Sequence, residues 1–128
     1  MRKVFILALL ILVSQVRSLS APVAAEWVAR YNGPGNGEDR ATALAVDTDG
    51  NVYVTGYSVG VGTSVDYATI KYDADGNPVW IARYNGLGNG EDIATALAVD
   101  ADGNVYVTGR SAGVGTSFDY ATIKYVQK

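Results

Sequence analysis

Residues 41–56 read Ala41-Thr-Ala-Leu-Ala-Val-Asp-Thr-Asp-Gly-Asn-Val-Tyr-Val-Thr-Gly56, and they return as residues 94–109 with one change, Thr48 to Ala101. The correspondence extends both ways. Trp27–Tyr72 aligns with Trp80–Tyr125 at a constant offset of 53, without a gap, and 39 of the 46 positions are identical. The exceptions are Val28/Ile81, Pro34/Leu87, Arg40/Ile93, Thr48/Ala101, Tyr57/Arg110, Val59/Ala112 and Val65/Phe118. Identity at this level means one structural unit present twice.

Four strand patterns lie within a unit. Thr42–Val46 is apolar after its first residue, as a strand covered on both faces would be. Val52–Thr55 alternates, with Val52 and Val54 on one face and Tyr53 and Thr55 on the other. Tyr67–Tyr72 sets Tyr67, Thr69 and Lys71 against Ala68, Ile70 and Tyr72, and Val79–Tyr84 places Trp80, Ala82 and Tyr84 on one side. These residue types suit a pleated, half-buried surface. No 3.6-residue stripe occurs after the N-terminal segment, so the expected class is all-β.

The connectors alternate in kind. Asp47-Thr-Asp-Gly-Asn51 and Asp73-Ala-Asp-Gly-Asn77 are short turns, in which glycine supplies positive φ and the aspartate bonds the local backbone. Gly56–Ser64 and Asn32–Arg40 read as longer, glycine-rich loops. In a meander, alternate connections share an end, so the turns share one rim and the loops the other. Pro78, without an N–H, suits the start of an edge strand.

Four antiparallel strands in about 50 residues, repeated, describe blades of a β-propeller with the apolar strand innermost. Ala41–Asp47, Asp49-Gly-Asn-Val-Tyr-Val-Thr-Gly56 and Asp66-Tyr-Ala-Thr-Ile-Lys-Tyr72 resemble the SBBP repeat of bacterial β-propeller proteins. The resemblance covers nearly everything after residue 25. It implies a secreted or cell-surface bacterial protein with a structural or binding role, and no assigned activity. The expected architecture is a partial propeller of two four-stranded blades, at residues 26–79 and 80–128, behind a signal peptide at residues 1–25. Arrays of this kind close into rings with more blades than two.

That N-terminal segment has the secretory pattern. Arg2 and Lys3 precede the ten-residue apolar run Val4–Val13, and Val23-Ala24-Ala25 offers small residues for cleavage before Glu26. The run is too short for a bilayer core of about 30 Å. Its removal takes three of the ten basic residues and none of the thirteen acids, leaving seven against thirteen, a net charge near −6. An acidic surface without a Lys/Arg cluster argues against nucleic-acid partners and against insertion of the mature chain in membranes.

The 128 residues contain no cysteine and no histidine, which removes disulfides, His-based triads and zinc sites built on N or S ligands. Read as a calcium loop, Asp47-x-Asp49-Gly50-Asn51 would need glycine at its sixth position and glutamate at its twelfth. The chain has Val52 and Ser58 there, so a hairpin turn is expected and no metal ligand set is assigned. The loop Gly35-Asn-Gly-Glu-Asp39 and its copy Gly88-Asn-Gly-Glu-Asp92 are not phosphate loops, since no Gly-Lys-Ser/Thr follows. They read foremost as flexible connectors with solvated acids, whose Asp39 and Asp92 should tolerate asparagine. As rim loops on a rigid scaffold they are also the candidate ligand site: Asn36, Glu38, Asp39, Asn89, Glu91 and Asp92. Adjacent Glu38 and Asp39 do not hold the opposed geometry of a glycosidase pair, about 5–9 Å apart. Recurrent Tyr31, Tyr53, Tyr67, Tyr72 and Trp27 are expected to pack between blades rather than stack on sugars.

The expectation is therefore a non-catalytic module with no cofactor. A glycan or cell-surface molecule is its candidate ligand, and further copies of itself, three or four to a ring, are its expected partner. A carbohydrate-active enzyme or lectin using the rim carboxylates is the alternative, and a remnant of a longer array is the third reading. Mass spectrometry of the exported product should find Glu26 at its N-terminus; a product retaining Val4–Val13 would refute the targeting segment.

Overall fold

A computed structural model describes residues 21–128, so most of the expected targeting segment lies outside the described residues. Seven strands follow in chain order: β1 (Asp39–Val46), β2 (Val52–Val59), β3 (Val65–Tyr72), β4 (Pro78–Tyr84), β5 (Asp92–Val99), β6 (Val105–Ala112) and β7 (Phe118–Tyr125). They form two antiparallel sheets, ordered β1-β2-β3-β4 and β5-β6-β7. No helix occurs among the described residues, and the all-β class holds.

The second sheet has three strands where four were expected. β3 takes β4 on its outer edge, with Tyr67 opposite Tyr84 and Lys71 opposite Trp80. Among the described residues, nothing pairs with the corresponding edge of β7. The segment that repeats Trp80–Tyr84 is Trp27–Tyr31, which precedes the first sheet and is not a strand. It lies instead across that sheet's face, where Trp27 stacks at 6.3 Å from Tyr72 and its Nε1 donates to Ala74 O at 3.1 Å. Sequence repeat and sheet are thus out of phase, because β4 carries the start of the second copy but bonds into the first sheet.

The short turns form as their residues dictate. Asp47 N–H donates to Asn51 O at 3.0 Å, Gly50 N–H donates to Asp47 O at 3.1 Å, and Gly50 has φ of 81°. The same arrangement recurs at Asp73–Asn77 and Asp100–Asn104. The glycine-rich connectors are shorter than the residues suggest. β2 runs through Gly56 to Val59, which leaves Gly60–Ser64 as loop, and β1 already begins at Asp39. Gly56 serves close strand approach rather than loop freedom: a Cβ there would stand 1.9 Å from Arg40 O, beside the register shift at Ala41/Ala43.

The core lies between the sheets. Tyr53 and Tyr67, both at 0% exposure, meet Ala94, Val105 and Val107 of the second sheet. Trp80 is shared, with its ring 6.2 Å from Tyr53 and 6.0 Å from Tyr125. Burying a large side chain is worth about 1.5–3 kcal/mol, and each aromatic pair adds about 0.5–1.5 kcal/mol. Thr42 Oγ1 donates to Ala94 O at 2.6 Å and Tyr67 OH to Ala121 O at 3.1 Å, locking the two sheets in register. β1, expected to be covered on both faces, is not: Leu44 is 62% and Val46 58% exposed. Their face is the one that carries Trp27 and no second sheet among the described residues.

Gly50→Val should lower stability by about 1 kcal/mol or more, since its φ is left-handed. Gly56→Ala, blocked by backbone rather than by φ, should cost about 1–3 kcal/mol. Urea denaturation of both variants checks this; a freely replaceable Gly56 would contradict the strand contact.

Candidate functional site

The rim loop of each copy is built the same way. Asn36 and Asn89 both take φ of 49°, a left-handed conformation that asparagine tolerates. Asn32 Nδ2 donates to Asn36 Oδ1 at 2.8 Å, and Asn85 Nδ2 to Asn89 Oδ1 at 2.7 Å. Gly35 N–H donates to Val59 O and Gly88 N–H to Ala112 O, each at 3.1 Å. The loops are therefore pinned to the ends of β2 and β6 rather than free. Asn89 Nδ2 also donates to Gly62 O of the other copy at 3.4 Å, so the rims of the two sheets touch.

The six candidate residues divide by direction. Asn36, Glu38 and Asn89 are exposed, and Glu91 is half-buried. Glu38 accepts from Tyr57 OH at 3.0 Å, whereas Glu91 pairs with Arg110, so the substitution of Tyr57 by Arg110 changes the rim's charge between copies. Asp39 and Asp92 do not join them. Both are strand residues that turn inward to accept the N–H of Gly33 and Gly86, the latter at 2.8 Å. Asp92 is fully buried and Asp39 half-buried, which corrects the expectation of solvated acids. Adjacent Glu38 and Asp39 point to different partners, so they do not act as a pair.

Three further aspartates, Asp47, Asp73 and Asp100, are occupied by the turns. Asp47 accepts from Asn51 N–H at 2.9 Å, Asn51 Nδ2 at 2.8 Å and Tyr53 OH at 3.0 Å. The side chains of Asn77 and Asn104, helped by backbone N–H groups, hold the Asp73 and Asp100 carboxyls below their ordinary range. Among the described residues, no three acidic side chains gather into a cation cage. Burial pushes the Tyr67 phenol up to about 12, as suits a core hydroxyl that stays protonated.

One cluster was not foreseen. Arg83 of β4 donates to Ser58 Oγ at 2.7 Å, Ser58 O at 3.0 Å, Asp66 Oδ2 at 3.0 Å and Tyr31 OH at 3.0 Å. Ser58 and Asp66 are buried, and the guanidinium is the countercharge of an Asp66 carboxylate that also accepts from Thr63 Oγ1 at 3.0 Å. The signal was present in the sequence as an aspartate heading an apolar strand, Asp66-Tyr-Ala-Thr-Ile70, and an arginine inside another, Trp80-Ile-Ala-Arg83. In the second copy Ser111 and Asp119 have no arginine among the described residues. Asp119 is exposed, while Asp92 Oδ1 is buried without a hydrogen-bond partner.

A groove of about 370 Å³ lies on the face of the first sheet that carries Trp27, walled by Trp27, Tyr31 and Arg40 and floored by Val54 and Ile70. It adjoins Asp39 at the loop rim but contains none of the other candidate residues. Two comparisons bear on the chain as a whole. A family model described as SBBP, a β-propeller repeat, matches residues 26–61 and 79–115, once in each copy. No curated protein matches the chain.

Arg83→Ala should cost about 3 kcal/mol, because it leaves a buried carboxylate unpaired. Arg110→Ala breaks a solvent-accessible pair and an exposed stack on Phe118, worth about 1 kcal/mol together, and should cost clearly less. Denaturation midpoints of the two variants test this, and equal losses would refute the distinction.

Proposed function

Since the chain belongs to the SBBP β-propeller repeat family, we propose that it is a non-catalytic module of two blades, exported from a bacterial cell, with a structural or binding role. The observation that carries this reading is the use made of the acids. In both copies the turn aspartates hold the hairpins and the strand aspartates hold the glycine N–H groups of the rim. A carboxylate committed to folding the same turn in each copy supports a scaffold rather than a reaction.

What the scaffold presents is its loop rim. Asn36, Glu38, Asn89 and Glu91 are the side chains there that a glycan or a cell-surface ligand would meet, on loops fixed by backbone hydrogen bonds. Fixed loops lower the ordering cost of binding.

A screen of the purified protein against glycoside substrates, run beside a glycan array, tests the reading. The expected outcome is no hydrolysis by the wild type and an unchanged fold in Glu38→Gln. Turnover that Glu38→Gln abolishes would replace the module with an enzyme.

A further inference from the structure

The two copies have nearly the same sequence but opposite surroundings. Tyr67 is 0% exposed, whereas its counterpart Tyr120 is 97% exposed. Asp66 is buried against Arg83, and its counterpart Asp119 is exposed. β3 has β4 at its edge, and β7 has no strand there among the described residues. The missing pieces are all present elsewhere in the chain, on the far side of the first sheet.

The interface inside the chain shows what fits there. Around Tyr53 and Tyr67, ten residues form the surface that receives them or the strand that flanks them. Shifted by one repeat, nine of those ten line the groove on the first sheet, which no other described residue fills, Val46 being the exception. Trp27, Leu44, Val54, Ile70 and Tyr72 stand where Trp80, Leu97, Val107, Ile123 and Tyr125 stand in the closed interface. Trp27 already holds its place, stacked on Tyr72 as Trp80 is on Tyr125. The groove is thus a second instance of the surface that takes two tyrosines, and the matching tyrosines, Tyr106 and Tyr120, lie on the opposite end of the molecule.

We propose that a second copy of this chain fills the groove, and that the first copy's Trp27–Tyr31 segment becomes the fourth strand on β7 of that second copy. This rests on the reading of the chain as propeller blades. By the register of β3 with β4, Ala29 lies opposite Thr122, and Trp27 opposite Lys124. Arg30 then takes the position of Arg83 and reaches Ser111 and Asp119, the groups that Arg83 satisfies as Ser58 and Asp66. It also brings a cation beside the rim glycine Gly86, where Asp92 Oδ1 is buried without a partner. Tyr120 OH meets Ala68 O as Tyr67 OH meets Ala121 O. The contact is head-to-tail, so each copy gives one segment and receives another. Rings of this architecture hold about four to eight blades, and a closed assembly would contain two to four copies.

Strand pairing is tested by disulfide capture, which the absence of native cysteine makes clean. Full chains carrying Ala29→Cys are mixed with full chains carrying Thr122→Cys and oxidised. A cross-linked pair is expected in high yield, with at least severalfold less when Lys124→Cys replaces Thr122→Cys. Light scattering should show wild type as an oligomer. Arg30→Asp should dissociate it at least tenfold more readily, and the double variant Arg30→Asp/Asp119→Arg should restore association. Tyr120→Ala, which removes a side chain exposed in the single copy, should weaken association without loss of the β circular-dichroism signal. A folded wild-type monomer, an off-register cross-link of equal yield, or no rescue by the charge exchange overturns the proposal and assigns the groove to another occupant. These readouts follow association alone, so they stand apart from any hydrolysis in the glycoside screen.

Discussion

Everything in this molecule hangs on two tyrosines of one sheet entering the apolar face of the next. Tyr53 and Tyr67 are buried completely, and each ends in a hydroxyl that must be satisfied there. Tyr53 OH donates to Asp47, Tyr67 OH donates to Ala121 O, and Trp80 bridges both sheets with its ring. In stacked repeats each unit draws part of its stability from the interface with its neighbour. The Tyr67 hydroxyl, with that of Thr42 on Ala94 O, fixes how the sheets sit on one another, while the rings supply the stabilisation. A shift of one sheet against the other would strand the Tyr67 hydroxyl, whose acceptor lies in the second sheet, while Tyr53 keeps Asp47 of its own hairpin.

Around that contact, polar chemistry is arranged at the strand ends. At one rim Asp47, Asp73 and Asp100 close hairpins whose glycines need positive φ. At the other, Asp39 and Asp92 hold the N–H of Gly33 and Gly86, and Arg83 ties Ser58 and Asp66 to the edge strand. The glycines there are required by space: a Cβ on Gly33 would stand 1.9 Å from Ser58 Oγ, and one on Gly86 2.1 Å from Ser111 Oγ. The loops are glycine-rich because they are tightly apposed to strands. Flexibility is not their purpose.

Near-identical copies in unlike surroundings separate what a residue encodes from what its neighbours decide. The hairpins, the bulges and the Thr–Thr contacts are the same in both, with Thr55 and Thr69 hydroxyls 2.9 Å apart and Thr108 and Thr122 2.8 Å apart. These are local and follow the chain. Burial is not: Tyr120, Asp119 and Leu44 are exposed where Tyr67, Asp66 and Leu97 are covered or partly covered.

The sequence by itself determined the class, the repeat and its period, the four strand patterns and the DGN turns, because alternation and turn chemistry act within a few residues. It determined the alternation of Tyr53 with Val54 and of Tyr67 with Ala68, and hence which side chains share a face. It did not determine the ends of β2 and β3, because Gly56 reads as loop in one dimension and as close strand contact in three. The inward turn of Asp39 and Asp92 was equally illegible: an acid beside three glycines looks solvated until its backbone donor, six residues away, is brought to it. The Arg83 cluster needed three strands side by side before its members met. Which of two identical surfaces is covered, and whether Trp27–Tyr31 or Trp80–Tyr84 becomes a strand, only the tertiary structure decided. A β-strand exists by pairing, and its pairing partner is a matter of position in space.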